Sequence, residues 1–332
     1  MSAETQPTHT MRAVVQDRYG SADVLRVARV PRPAVADDQV LVRVHAAGLD
    51  RGTWHLMTGR PHLLRLAFGL RRPRNPVPGI DLAGTVVSVG VAVTRFTAGD
   101  EVFGFGKGSY AEYAVAREHK LARKPANLSF AQAAVVPVSA TTALQALVDV
   151  GRVQPGQKVL VIGASGGVGS YAVQLAKAFG TEVTGVASTA KLDLVRSLAA
   201  DHVIDYTAAD FAAEAGVYDL ILDIGGNPAV SRLRRALTRT GTAVIVGGEA
   251  GGSWTGGLDR PLRAVGLSMF VGQRLTNFVA RERSSDLETL TALIEAGSLL
   301  PSIDTTYPLD RAAEAMRRLE AGLVRGKYAI VI

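Results

Sequence analysis

The 332-residue chain contains no cysteine. That single absence excludes disulfides, thiolate zinc sites and cysteine nucleophiles. Aromatic residues are scarce, 6% with two tryptophans. No aromatic-interleaved basic stripe, helix-turn-helix or zinc-finger spacing marks a nucleic-acid binder. No apolar run approaches the roughly 18 residues of a membrane span. Met1–Thr10 lacks a signal peptide's apolar core and reads as a disordered leader. A cytoplasmic protein is expected, without nucleic-acid or membrane partners. Charge is unbalanced at +7, with arginines clustered at Arg60, Arg65, Arg71, Arg72 and Arg74. The excess reads as a solvated basic face, and it suits an anionic cofactor.

Apolar residues make up 47% of the chain, ample for one large domain or two ordinary ones. The front third reads as β-rich, with strands at Arg12–Val15, Val24–Arg29, Val40–Ala46, Thr85–Val89 and Tyr110–Val115 between Gly and Pro breaks. Arg60–Pro78, basic and partly apolar, reads as a lid or an inserted helix. Ala131–Val150 is a largely apolar helical stretch. Strands are then predicted at Lys158–Ile162, Glu182–Ala187, His202–Asp205, Leu220–Asp223 and Thr242–Val246. Helices at Ser170–Phe179, Lys191–Ala199 and Val230–Leu237 separate them. Such alternation predicts βαβ units and a parallel sheet, an α/β fold. The tail shows amphipathic helices at Asp286–Glu295 and Asp310–Glu320, then a strand at Tyr328–Ile332.

The most informative stretch is Lys158–Gly169, an apolar strand running into Gly-Ala-Ser-Gly-Gly-Val-Gly and then a helical pattern. Ala164, Gly166 and Gly169 fit the A-x-G-x-x-G form of a dinucleotide turn. Missing side chains let the backbone of Ala164, Ser165, Gly166, Gly167 and Val168 approach a pyrophosphate, and the helix start offers N–H groups and a positive dipole end. The second strand of such folds commonly ends in an acid that binds the ribose 2′-hydroxyl. Here Ser188, Thr189 and Lys191 follow instead, which favours NADPH over NADH. Lys191 otherwise reads as an ordinary exposed helix lysine. Tyr206 either lies beside the adenine end or is a half-buried surface tyrosine.

These motifs resemble the zinc-independent branch of the medium-chain dehydrogenase/reductase superfamily, nearest its quinone oxidoreductases and enone or enoyl reductases. The resemblance rests on Val-Arg-Val-His-Ala-Ala-Gly-Leu at 42–49, Pro-Gly-Ile-Asp-Leu-Ala-Gly at 78–84, Gly-Asp-Glu-Val-Phe-Gly at 99–104 and Ser-Tyr-Ala-Glu-Tyr-Ala at 109–114. Thr-Ala-Leu-Gln-Ala-Leu at 142–147, the glycine turn and Arg-Gly-Lys at 325–327 complete it. It implies a GroES-like substrate domain from 1–134 and 273–332, a Rossmann domain over 135–272, an active-site cleft between them, and a homodimer. Zinc members carry a cysteine where this chain has Asp50 and a Gly-His-Glu where it has Gly79-Ile-Asp81. Asp50, Asp81 and His55 are the weaker alternative, a metal set, and no metal is expected.

The resemblance further implies hydride transfer from NADPH to the β-carbon of an enone, enal or quinone. The developing oxyanion would be stabilised by hydrogen bonds and then protonated. By alignment His55 stands where quinone reductases carry a tyrosine, so it is either the proton donor or a structural histidine. Asp50 stands for an asparagine near the nicotinamide ribose, and Tyr110 is the second candidate donor. Trp54 either walls the substrate pocket or fills the core. Thr142 either meets the nicotinamide phosphate or bonds back to its own helix. Gly225, Gly226, Val246, Gly247 and Gly248 fall at the carboxyl edge of the sheet, and Phe270–Arg274 and Lys327 match cofactor-lining segments loosely. The remaining readings are a zinc-free NADP-dependent alcohol or carbonyl dehydrogenase, and a non-catalytic NADPH-binding sensor or structural protein.

Overall fold

The structure, a computed structural model, describes residues 10–247 and 259–332. The expected leader therefore lies outside the described residues, except that Thr10 already belongs to a strand. β1 (Thr10–Val15) and β2 (Arg26–Pro31) pair as an antiparallel ribbon. Then come β3 (Gln39–Leu49), α1 (Arg51–Thr58), the single turn α2 (Arg65–Phe68), β4 (Asp81–Val89), β5 (Glu101–Phe105), β6 (Tyr113–Arg117) and β7 (Leu121–Arg123). α3 (Phe130–Ala134) and α4 (Pro137–Gln145), prolonged by a π turn at Ala146–Val150, lead into the middle. There β8 (Lys158–Ile162), α5 (Gly167–Ala178), β9 (Glu182–Ala187), α6 (Leu192–Ser197), β10 (His202–Asp205), β11 (Tyr218–Asp223), α7 (Val230–Ala236) and β12 (Leu237–Ile245) alternate. α8 (Asp259–Ser268), β13 (Arg274–Asn277), α9 (Ser284–Glu295), β14 (Ile303–Pro308), α10 (Ala312–Glu320) and β15 (Lys327–Val331) close the chain.

The middle strands form a parallel sheet in the order β10-β9-β8-β11-β12-β13. The chain starts at β8, runs outward one way, then returns to place β11 on its other side. That reversal leaves a crevice at the carboxyl ends of β8 and β11, where ligands bind in such sheets. β8, Lys-Val-Leu-Val-Ile, is buried on both faces beyond Lys158 and hence reads as a continuous apolar run. β13 belongs to this sheet, pairing with β12 from Arg274 to Asn277. The parallel sheet thus reaches past the expected boundary at 272. β13 was not predicted because Arg-Leu-Thr-Asn is short and mostly polar, as outer strands are.

The front sheet has the order β14-β15-β3-β4-β5-β7, with β6 also on β3. β3 is its long member. It pairs with β4 along most of its length, with β6 at its start and with β15 at its end, where Tyr328 lies opposite Leu49. The tail is therefore built into the front sheet beside the entry to α1. One hydrophobic core runs through both halves, joining Ala83 and Phe103 of the front sheet to Val159 and Leu220 of the parallel sheet through Ala140 and Leu144 of α4. Arg60–Pro78 holds only a 3-10 turn and the four residues of α2, so the expected inserted helix is a single turn.

Candidate active site

A cleft of about 740 Å³ lies between the two halves at the sheet's reversal point. Its floor is the turn after β8. Gly163 and Ala164 donate to the Val186 carbonyl, which pins the turn to β9. Gly166 is the N-cap of α5 in extended conformation, and it has no side chain to bond the helix's first N–H groups. The first helical hydrogen bond is Ser170 N–H to the Gly166 carbonyl at 2.9 Å. The uncapped amino end of a twelve-residue helix thus meets the cleft, the arrangement that takes phosphate oxygens. A Cβ at Gly167 would stand 2.9 Å from Lys327 Cδ. Lys327, at the start of β15, accordingly lies against the turn from the opposite half.

Lys327 is buried, donates to Ser139 Oγ at 3.0 Å and lies 3.8 Å from Asp81 Oδ2. Asp81 is wholly buried. Its Oδ1 accepts the Val138 N–H at 2.9 Å, and its Oδ2 has no hydrogen-bond partner. Burial holds the Asp81 carboxyl well above the usual carboxylate range, against the attraction of Lys327 and with a further push from Asp50. The pair joins the end of the front sheet to the start of α4, so it fixes one half on the other.

Of the predicted cofactor residues, Thr142, Ser165, Gly166, Gly167, Val168, Ser188, Lys191, Tyr206, Gly226, Val246, Gly247 and Lys327 all line this cleft. Ala164 does not, because its methyl is turned wholly into the core. Gly248 lies outside the described residues. Phe270–Arg274 do not line it either: Phe270 is exposed, and Arg274 donates to the Val150 carbonyl at 2.6 Å. Thr142 lines the cleft, and its hydroxyl donates to the Val138 carbonyl at 2.6 Å, the bond back to its own helix. Lys191 is more than an exposed helix lysine. It donates to the carbonyls of Gly322 at 2.7 Å and Val324 at 2.9 Å, tying the tail to the end of the cleft beyond β9. Arg232 lines that end too and was not predicted. It pairs with Asp210 at 2.6 Å and stacks on Phe211.

At the other end, β3 delivers Leu49 and Asp50 to the cleft. Asp50 is the N-cap of α1: Oδ1 accepts the Thr53 N–H at 2.8 Å and Oδ2 the Thr53 hydroxyl at 3.3 Å. His55 follows one turn later, lines the cleft, and holds the Arg60 carbonyl at 2.7 Å through Nδ1. A carbonyl only accepts, so Nδ1 carries a proton and exchange with a ligand oxygen falls to Nε2. Tyr110 is not at the cleft surface. Its ring is fully buried, its hydroxyl donates to the Gly48 carbonyl at 3.2 Å, and burial, reinforced by Asp50, raises its pKa well above that of a free phenol. It stands in the bend before β6, outside the strand predicted from 110, and turned into the core it presents no proton to the cleft. Trp54 does not line the cleft; it packs on the core around Met57 and Tyr328. Arg51 and Ser139 are further lining residues that the sequence did not mark.

Asp223, at the end of β11, supports the neighbouring wall. It is buried and ion-paired with Arg260 of α8, and its carbonyl accepts the Val246 N–H at 2.9 Å. Burial pushes its carboxyl up to about 6, with Arg260 opposing. A carboxyl raised on folding holds its proton more tightly in the native state. Stability is therefore highest below the ordinary value near 4, and is lost as pH rises through about 6, by on the order of 3 kcal/mol. Asp223→Asn is expected to erase that slope. Urea denaturation of both proteins at about pH 4 and about pH 7 checks it, and parallel pH profiles would refute it.

The chain matches two family models, "Alcohol dehydrogenase GroES-like domain" over residues 36–126 and "Zinc-binding dehydrogenase" over 198–330. Zinc does not fit this site. The chain has no cysteine, both oxygens of Asp50 are engaged by Thr53, and among the described residues no group of three or more acids and histidines is placed to hold a metal. Among relatives, the chain is 34% identical to a tomato (Solanum lycopersicum) protein named 2-methylene-furan-3-one reductase, over 96% of this chain and 79% of that one. It is also 34% identical to the NADPH-dependent alkenal/one oxidoreductase of Arabidopsis thaliana, over 99% and 82%. Among solved structures, the quinone oxidoreductase of Coxiella burnetii superposes with a TM-score of 0.86 at 29% identity, covering 98% of this chain and all of that one. The chain belongs to the zinc-independent branch of the medium-chain dehydrogenase/reductase superfamily.

Proposed function

We propose that the protein is a metal-independent, NADPH-dependent reductase of conjugated enones, enals or quinones. One observation carries the reading: a single cleft joins the uncapped start of α5 to the imidazole of His55. A nicotinamide cofactor fits the cradle, because a Cβ at Gly167 would fill the space against Lys327 and the α5 N–H groups have no protein cap. Its bound reduced form supplies hydride to the conjugated carbon of the substrate. The chain's own residues do the rest. The α5 start and Lys327 hold phosphate charge. Protonated His55, steadied through Nδ1 by Arg60, donates Nε2–H to the substrate oxygen as negative charge gathers there.

The preference for NADPH rests on the ribose end. β9 ends in Ala187 and Ser188 without an acid, and Lys191 and Arg232 stand in the lining. The nearby Asp205 is turned onto Thr189 and Thr207. The same reading carries a homodimer through the outer strand β13, beside which Met269 and Phe270 are exposed.

The test follows coenzyme oxidation with an enone, a quinone and a saturated aldehyde. Turnover with the first two and a preference for NADPH of about 10-fold or more, worth ~1.4 kcal/mol, is expected. His55→Gln should lower kcat about 100-fold, within the range of general acid catalysis. Faster turnover of the saturated aldehyde would favour the carbonyl dehydrogenase reading. Tight NADPH binding with no turnover of any acceptor would favour the sensor.

A further inference from the structure

Residues 60–76 carry five arginines and no acidic residue. The same stretch exposes its large apolar side chains: Leu63 is 52% exposed, Leu66 64%, Phe68 45% and Leu70 68%. These are not scattered surface residues. The segment folds back on itself, since Arg74 N–H donates to the Phe68 carbonyl at 2.8 Å and a Cβ at Gly69 would overlap the Arg72 carbonyl. Arg72 and Arg74 are thereby brought alongside Phe68 and Leu70. Tyr19 anchors the tip by donating to the Gly69 carbonyl at 2.6 Å, with the Arg65 guanidinium 4.6 Å above its ring. The apolar tips are therefore held outward on a braced support.

Charge decides what such a face meets. Arg71, Arg72 and Arg74 line a recess of about 820 Å³ whose one carboxylate, Asp17, is paired with Arg26 at 2.8 Å. The face is thus both apolar and positively charged. Protruding Leu and Phe ringed by arginine, with no unpaired carboxylate in the recess, match the boundary of an anionic bilayer, apolar tips among the acyl chains and guanidinium groups among the phosphates. No helix among the described residues is long and apolar enough to cross a membrane, so the contact is with the surface alone.

We infer that residues 60–76 form a docking face for an anionic lipid surface. The geometry gives it a direction. Arg60, the first residue of the segment, holds His55 through its carbonyl, so the docked face stands next to the substrate end of the cleft.

The full-length protein is to be sedimented with vesicles of phosphatidylcholine alone and with vesicles also containing phosphatidylglycerol. Binding about 10-fold or more tighter to the anionic vesicles is expected, and it should weaken as salt shortens the screening length from about 10 Å towards 3 Å. Leu66→Ser/Leu70→Ser and, separately, Arg71→Gln/Arg72→Gln should each lose about 10-fold, with unchanged thermal melts. Binding to neither vesicle, equal binding to both, or binding that survives both variants overturns the inference. So does ultracentrifugation showing that the leucine variant breaks an oligomer, which would make the face a contact between copies. Binding to an acidic polypeptide in place of vesicles would make it a protein site and equally overturn it.

Discussion

Gly169→Ala is expected to destabilise the protein and abolish useful cofactor binding together. A Cβ there would overlap the Gly163 carbonyl oxygen and stand 2.8 Å from Ala164 Cα. Both are backbone atoms of the turn, so no rotamer can relieve the clash. Overpacking of this kind costs about 1–3 kcal/mol or more. The turn must open, which moves the N–H groups at the start of α5, and NADPH affinity should fall about 100-fold, equivalent to ~2.7 kcal/mol. Gly166→Ala is the informative partner. Its Cβ would meet only the Gly163 carbonyl oxygen, at 3.4 Å, while the residue itself lines the cleft. That variant should melt within a few degrees of the wild type, a shift of under about 1 kcal/mol, and still lose cofactor affinity. Thermal melts with and without NADPH separate the two. Equal melting temperatures for both apo variants would contradict the assignment of Gly169 to packing.

The second large effect is expected at Lys327. Lys327→Met removes the cation that faces Asp81 at 3.8 Å inside the core. Breaking a buried pair by deleting one partner costs about 3–5 kcal/mol, because the remaining charge stays buried. The sign with pH follows from Asp81, whose carboxyl already sits above the ordinary range. Without Lys327 it is driven higher still. While pH stays below the raised value that Asp81 already has beside Lys327, its carboxyl is neutral in both folded proteins, so the penalty is small; it grows as pH rises through that value. Lys327→Met/Asp81→Asn should recover part of the loss and flatten the pH dependence, since an amide still accepts from Val138 N–H. Denaturant melts at acid and mildly alkaline pH measure both effects. A penalty in the single variant that is the same at both would remove Asp81 as its cause. Cofactor affinity should fall in both variants alike, because both lack the ammonium beside Gly167.

The parts of this molecule that were legible in the sequence are those set by local rules. β8 and β9 coincide with their predicted ranges because strands buried on both faces have no polar alternation to blur their ends; β10, at the sheet's edge and only half-buried, also falls on its predicted range. The glycine turn was legible because strand, turn and helix follow one another without a gap. Long-range pairings were not. Ser139 and Lys327 are separated by 188 positions, and nothing near either predicts that one holds the other. Asp81 drew notice only as a possible metal ligand, yet it is Lys327's partner. The burial of Tyr110 is not legible, because a hydroxyl in a family motif says nothing about which way the bend before β6 turns it. Lys191 was recognised as a cation at the ribose end, but its grip on Gly322 and Val324 depends on where α10 delivers the chain.

That grip has company. Arg325 reaches Asp193 at 2.6 Å, and Gly326 N–H donates to the Ser165 carbonyl at 2.8 Å. Three cross-links between the halves thus crowd at one side of the cleft, around the segment that precedes β15. With Lys327 on Ser139 and Asp81 on Val138 fastening the halves towards α1, both long walls of the cleft are held at a set spacing.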